Sequence, residues 1–257
     1  MEIVIISLVA LAASTLTFFS GFGLGTLLMP VVALFFPLEI AIGISAIVHL
    51  ANNFFKIGLL YKHVNWQVFL RFGITALVFA FIGAKALQGL AESNLHVGYT
   101  IFQHSFDTSL FQFIIGWLIL IFVVLELIPA FSRLSFDKKY LPIGGIISGF
   151  FGGLTGNQGA FRSMFLIKSG LTKEQFIATG VMVAIMVDIT RLSVYGKSII
   201  KTQSQIDWIL VITACFSAFI GAYLGRILLK KVTIQSVHFF VSTFLLLVAL
   251  GLISGLI

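Results

Sequence analysis

Phe18-Phe-Ser-Gly-Phe-Gly-Leu-Gly25 and Phe150-Phe-Gly-Gly-Leu-Thr-Gly-Asn-Gln-Gly159 read as one broken hydrophobic hairpin written twice. Each opens on paired phenylalanines, runs through glycines into a short apolar segment, and is followed by a full-length hydrophobic helix. Phe18 answers to Phe150, Glu39 to Glu174, and Ala80-Phe-Ile-Gly-Ala84 recurs letter for letter as Ala218-Phe-Ile-Gly-Ala222. The offset grows from 132 to 135 to 138 residues, as one ancestral unit with small insertions would give. Paired glycine-interrupted segments at matching places in two halves of an apolar chain point to the binding site of a transporter.

The surroundings fit that reading. The chain is 59% hydrophobic and only 10% charged, with a mean hydropathy of +1.12, too little polar surface to cover a water-soluble domain. Apolar segments near 38–60, 68–90, 112–130, 173–196, 207–229 and 235–257 are long enough to cross a bilayer, which takes roughly 20 apolar residues in a helix. Segments 3–19 and 141–156 are shorter and lead into the glycine runs. The expected fold class is therefore an all-α polytopic membrane protein. Glu2 precedes the first apolar run with no basic residue ahead of it, so a cleaved signal peptide is not expected. The net charge of +7 resides mainly in short loops between spans; this is a topology signal, and no nucleic-acid partner is expected. The single cysteine, Cys215, excludes an intrachain disulfide framework.

Segments 24–36 and 158–168 would reach only about 20 and 16 Å as helices, too short to span. If each turns back, Lys56, Lys62, Arg71, Arg133, Lys138, Lys139, Lys168, Lys173, Arg226, Lys230 and Lys231 share one side, against Lys85, Arg191, Lys197 and Lys201 on the other. That asymmetry is stronger than the one a simple crossing gives, and the positive-inside rule prefers it. A re-entrant hairpin plus three spans makes an odd number of crossings, so the halves enter the membrane in opposite senses. The expectation is two inverted repeats, 1–131 and 141–257, joined by a cytoplasmic loop at 132–140, with the substrate near the midplane where the broken segments meet. Pro37 and the Thr172/Gln175 capping box mark the starts of the spans that follow. Glu39 and Glu174 lie close to those starts and are read as helix-dipole partners. The connection 91–111, with Glu92, His96, His104 and Asp107, has no counterpart in the second half.

Irregular backbone at membrane depth is tolerated only where it is buried in protein or lines a polar cavity. Gly21, Gly23, Gly25, Gly156 and Gly159 allow the backbone to turn, and the half-helices that follow expose N–H groups to an anion. Thr26, Thr155, Asn157 and Gln158 add side-chain hydrogen-bonding groups. Close helix packing is the alternative reading of the glycines, and for Gly83 and Gly221 it is the preferred one. Arg162 lies inside the second re-entrant segment. Its planar fork matches a sulfonate, phosphate or carboxylate, unless it snorkels to the headgroups. His49, Asn52, Asn53 and Lys56 share one helix face, and Asp188, Arg191 and Tyr195 form a similar face on the repeat-related helix. Of these, Asn53 is a further substrate-binding candidate, and His49, Asp188 and Arg191 are candidates for ion coupling. Asp188 has a second reading as the ion-pair partner of Arg191, and Lys56 and Arg191 a second reading as snorkelling cations near helix ends. No metal-ligand spacing, nucleophile elbow or nucleotide loop occurs, so an enzyme is not expected and neither is a metal or a cofactor.

The string Gly152-Gly-Leu-Thr-Gly-Asn-Gln-Gly-Ala-Phe-Arg-Ser163, followed by Ala178-Thr-Gly180, by Val187-Asp-Ile-Thr-Arg191 and by Tyr195, resembles the sulfite exporter TauE/SafE family. Gly21-Phe-Gly-Leu-Gly-Thr-Leu-Leu-Met-Pro30 resembles that family's first glycine-rich segment, although Leu24 interrupts the run. The resemblance covers essentially the whole chain. It implies a multi-pass carrier of the inner (plasma) membrane that exports sulfite, sulfoacetate or a related organosulfur or carboxylate anion by alternating access. The implied partners are the anion, a coupling proton or sodium ion, the bilayer and, as an option, a second copy of the chain. A channel-like pore for a small anion is the alternative.

Overall fold

The computed structural model describes residues 1–20, 24–101, 104–128, 134–201, 206–228 and 234–256. Ten α-helices are present among them. In the first half these are α1 (Glu2–Ser20), α2 (Leu24–Ala33), α3 (Leu38–Leu60), α4 (Trp66–Ala91) and α5 (Leu110–Leu127). In the second they are α6 (Leu141–Thr155), α7 (Gly159–Leu166), α8 (Lys173–Lys201), α9 (Trp208–Leu228) and α10 (Ile234–Ser254). Four of them, α3, α4, α8 and α9, contain stretches long and apolar enough to cross a membrane. The short helices fall where the glycine runs place them. At 10 and 8 residues, α2 and α7 rise only about 15 and 12 Å.

One element departs from the all-α expectation. Residues of the long connection form an antiparallel ribbon, β1 (His96–Ile101) with β2 (His104–Ser109). It sits on the end of α10: Tyr99 Oη donates to the Ile253 carbonyl at 2.8 Å and Thr108 Oγ1 to that of Leu252 at 3.0 Å. Ser109 and Gln112 then cap α5 reciprocally. The ribbon covers the carbonyls at the helix end, which need partners outside their own helix.

The chain packs as pairs of helices. α1 lies along α9, α4 along α6, α3 against α8, and α5 against α10. The α4–α6 contact follows from small residues at helical spacing. A Cβ at Gly145, Gly149 or Gly153 would run into the backbone of Phe72, Ala76 or Ala80, each one turn after the last. Backbones approach this closely only where one side has no side chain. Gly83 meets Phe150 on α6 and Gly221 meets Leu11 on α1, so both glycines of the duplicated Ala-Phe-Ile-Gly-Ala string are packing residues. Gly149→Ala should lower stability by about 1–3 kcal/mol, because an overpacked methyl facing backbone has nowhere to go and outweighs the roughly 1 kcal/mol gain in helix propensity. A thermal melt in detergent checks this, and an unchanged melting temperature would rule out backbone contact at Gly149.

Large apolar side chains remain exposed on the outer faces, among them Ile74, Phe81 and Leu70 on α4 and Ile209, Phe216 and Ile220 on α9. Such faces aggregate in water and are at home against lipid. A set of polar side chains, among them His49, Asn52, Asn53, Asp188 and Arg191, is buried inside.

Candidate functional site

The buried centre is built around Asp188 on α8, which is fully buried. Its Oδ2 lies 2.7 Å from His49 Nδ1 and accepts from Asn53 Nδ2 at 3.2 Å; both partners come from α3. Its Oδ1 accepts from Arg191 Nε at 3.0 Å, with Arg191 Nη2 2.9 Å away. The expected helix faces therefore meet across the two halves of the chain. Asp188 is the ion-pair partner of Arg191 and, at the same time, the acceptor for His49.

The broken segments reach the same cluster. Gly156, at φ +83°, ends α6 in the left-handed region, and a Cβ there would lie 2.6 Å from Arg191 Nη1. Glycine is thus required twice at this position, for the turn and for the guanidinium. In the first half, a Cβ at Gly25 would touch the His49 ring at 3.9 Å. Thr26 beside it is buried. Gly21 and Gly23 lie outside the described residues.

After Gly156 the chain enters α7. Thr155 Oγ1 donates to the Phe151 carbonyl and accepts weakly from Asn157 N, at 3.2 and 3.4 Å. Ser148 Oγ donates to the Gln158 carbonyl at 3.1 Å, which also takes the Arg162 N–H at 2.9 Å. Gly159 is the first residue of α7 and is buried. Asn157, Gln158 and Arg162 are buried too, and Asn157 Oδ1, both amide atoms of Gln158 and Arg162 Nη1 have no hydrogen-bond partner among the described residues. Buried polar atoms without partners are uncommon, because each forfeits its hydration.

Three cations are interior: Lys56, Arg162 and Arg191, at 5%, 8% and 2% exposure. These values correct the snorkelling alternative for all three. The α8 helix runs on to Lys201, so Arg191 is well inside it. The Arg162 side chain turns inward, with its Nε 3.2 Å from where a Cβ on Gly180 would stand. Asn52, its amide turned so that the NH2 donates to the Ala218 carbonyl, takes Lys56 Nζ at 3.3 Å and lies 3.1 Å from Ser14 Oγ of α1. Asp188 attracts Arg162, and Arg162 repels Lys56. Asp188 is the only buried carboxylate among the described residues. The described interior thus holds three basic side chains against one acidic one.

Ser14 escaped the sequence reading, and Gly152 and Gly180, though part of the quoted strings, were not among the candidate site residues. Each is a small residue in an apolar helix, a pattern equally typical of plain packing. Tyr195 was on the right helix face but not among the site residues; its hydroxyl donates to the Gly153 carbonyl at the end of α6. Its ring lines a cavity of about 180 Å³ bounded also by Glu39, Gln88, Glu92 and Phe111. Tyr195→Phe should cost about 1 kcal/mol of stability, the usual worth of a buried hydrogen bond, as read from a thermal melt; no change would mean that the bond contributes nothing.

Fold and site together define an integral membrane protein, helical among the described residues apart from one ribbon, with basic side chains buried beside its broken segments. The family model described as Sulfite exporter TauE/SafE matches residues 6–252, and the chain belongs to that family, one of membrane transporters of sulfite and related sulfur anions. No curated protein and no solved structure matches it.

Proposed function

We propose that the protein is a secondary carrier, not an enzyme, that exports a small sulfur-containing or carboxylate anion across the inner membrane by alternating access. The observation that carries this reading is the charge balance: Lys56, Arg162 and Arg191 stand against Asp188 alone in the described interior. Basic groups in excess of acidic ones at membrane depth are costly, and an anion among them offsets that cost. The unpartnered Arg162 Nη1 and Gln158 amide supply hydrogen-bond donors for it. In this reading the substrate-binding residues are those of the two glycine runs together with Asn53 and Arg162. His49, Asp188 and Arg191 form the coupling centre.

The inverted-repeat arrangement, with repeats 1–131 and 141–257, is supported by the packing. Exchanging the halves turns the α1–α9 pair into α6–α4, and leaves α3–α8 and α5–α10 as they are. Such exchange is what a two-fold relation between repeats gives. Cysteines introduced at Lys62 and Ser135 should then react with an impermeant reagent from the cytoplasm, and one at His104 from outside. Labelling of Lys62 and His104 positions from the same face discards the re-entrant topology.

The function is tested by a thermal-shift screen of the purified chain against sulfite, thiosulfate, sulfonates, carboxylates and phosphate, since a ligand that binds only the folded state stabilises it. A chain that none of them stabilises would contradict the anion site. Counterflow in proteoliposomes separates carrier from pore: a carrier transiently accumulates labelled anion against unlabelled, and a channel does not. Arg162→Lys keeps the charge and loses the fork, so anion binding should weaken about tenfold or more, a loss of about 1.4 kcal/mol. Unchanged affinity would leave Arg162 a structural cation.

A further inference from the structure

The cavity beside Tyr195 belongs to neither broken segment. It holds about 180 Å³, and its walls are apolar: Ile40 and Ile42 of α3, Leu87 and Ala91 of α4, Phe111 of α5 and the Tyr195 ring of α8. None of His49, Asn53, Arg162, Asp188 or Arg191 lines it, although Arg191 stands one turn before Tyr195 on α8. The Tyr195 hydroxyl donates to the Gly153 carbonyl and has no hydrogen left to offer a ligand here. An apolar cavity of about 150 Å³ stays dry and takes a molecule the size of benzene. This one has room for a single six-membered ring.

Two carboxylates with no part in the buried centre stand at its mouth. Glu39, in the first turn of α3, and Glu92, which ends α4, both border the cavity, and both are exposed. Glu92 Oε1 accepts from Gln88 Nε2 at 3.0 Å, and Gln88 Oε1 accepts from Lys85 Nζ at 3.0 Å, so both ends of the one amide at the rim are engaged. Lys85 itself is not among the walls. What faces a ligand is therefore a pair of groups that only accept. An anion meets repulsion there and no free donor. A neutral apolar molecule fills the walls and leaves the mouth unused. An ammonium on an apolar body suits both parts, with three donors for the carboxylates and hydrocarbon for the walls, the usual division of labour in a small-molecule pocket.

We infer that this cavity is a second binding site, one that takes a primary ammonium carried on a compact apolar body of about one ring. The ring lies among Leu87, Phe111 and Tyr195, and the ammonium at Glu39 and Glu92. The walls come from both halves of the chain, α3, α4 and α5 from the first and α8 from the second, so the bound ligand bridges them. The site shares no residue with the proposed anion site and does not rest on it.

The test compares three ligands of nearly one shape: benzylamine, benzyl alcohol and benzoate, titrated calorimetrically into the purified full chain. At pH 7 the first is a cation, the second neutral and the third an anion. Ion pairs with exposed carboxylates are weak, so benzylammonium is expected to bind about fivefold more tightly than the alcohol, with benzoate the weakest of the three. In the double variant Glu39→Gln, Glu92→Gln, which alters only exposed groups, the amine and the alcohol should converge. Ala91→Leu fills the cavity from the end of α4 and should weaken both by about tenfold or more; where it does not fold, Ala91→Val makes the same test with less added volume. Equal affinity for amine and alcohol in the unmodified chain, or binding of neither, overturns the ammonium site. A preference for benzoate overturns it too and puts the cavity on an anion's route. Binding that ignores the substitution at Ala91, or a preference for the amine that survives loss of both carboxylates, places the ligand elsewhere and overturns the inference.

Discussion

Gly156→Leu is expected to abolish anion binding and to cost stability as well. At φ +83° a β-carbon is strained by about 1–2 kcal/mol. The second effect is larger. A Cβ there falls 2.6 Å from Arg191 Nη1, inside any tolerable contact, and the rest of a leucine needs the space the guanidinium holds. Pushing Arg191 aside breaks its contacts with both Asp188 and the broken turn. Removing one partner from a buried ion pair typically costs about 3–5 kcal/mol. The melting temperature should fall steeply, and whatever folded protein remains should show no shift with sulfite. Gly156→Ala separates the components: it keeps the strain and the Cβ collision but occupies little further volume. Its loss should be smaller, with weak binding retained. If Gly156→Leu melts and binds like the unmodified chain, the turn has no part in the site.

The Gly156–Arg191 contact is not legible in the sequence. The glycine run was legible as a break because glycine is poor in helices and the apolar stretch after it is too short to span. Span positions followed from hydropathy for the same kind of local reason. What sequence could not give was the neighbour across the break. Gly156 against Arg191, Gly25 against His49 and Gly180 against Arg162 are contacts between residues far apart in the chain. Periodicity placed His49 and Asp188 each on a polar face but did not bring the faces together. Hydropathy also ended the fourth long span at 196, and that early end made Arg191 look terminal; charged and polar residues lower the local hydropathy without stopping the helix, which continues to Lys201. The ribbon at 96–109 was missed because it is stabilised by its docking on α10, through contacts between residues far apart in the chain.

Asp188→Asn should separate the structural from the coupling role of the buried carboxylate. Asparagine keeps the shape and can still accept from Arg191, but the interior is left with basic side chains and no acidic one among its described groups. The apo protein should therefore melt lower, in line with the cost of about 3–5 kcal/mol for stranding a buried charge. Anion binding should move the other way. A unit charge several ångströms from the ligand, at an effective dielectric near 20, is worth about 2 kcal/mol, so removing it should tighten sulfite binding about tenfold or more. A proton on Asp188 neutralises the same charge, and by linkage the gain in affinity is also the coupling free energy between proton and anion. Transport should follow. With no titratable group at position 188, flux in proteoliposomes should lose its response to an imposed pH gradient, while exchange of labelled for unlabelled sulfite, which needs no net proton movement, persists. Without a change in affinity, Asp188 does not sense the anion. An Asp188→Asn carrier that still follows the pH gradient returns the residue to a single role, the partner that holds Arg191 in place beneath Gly156.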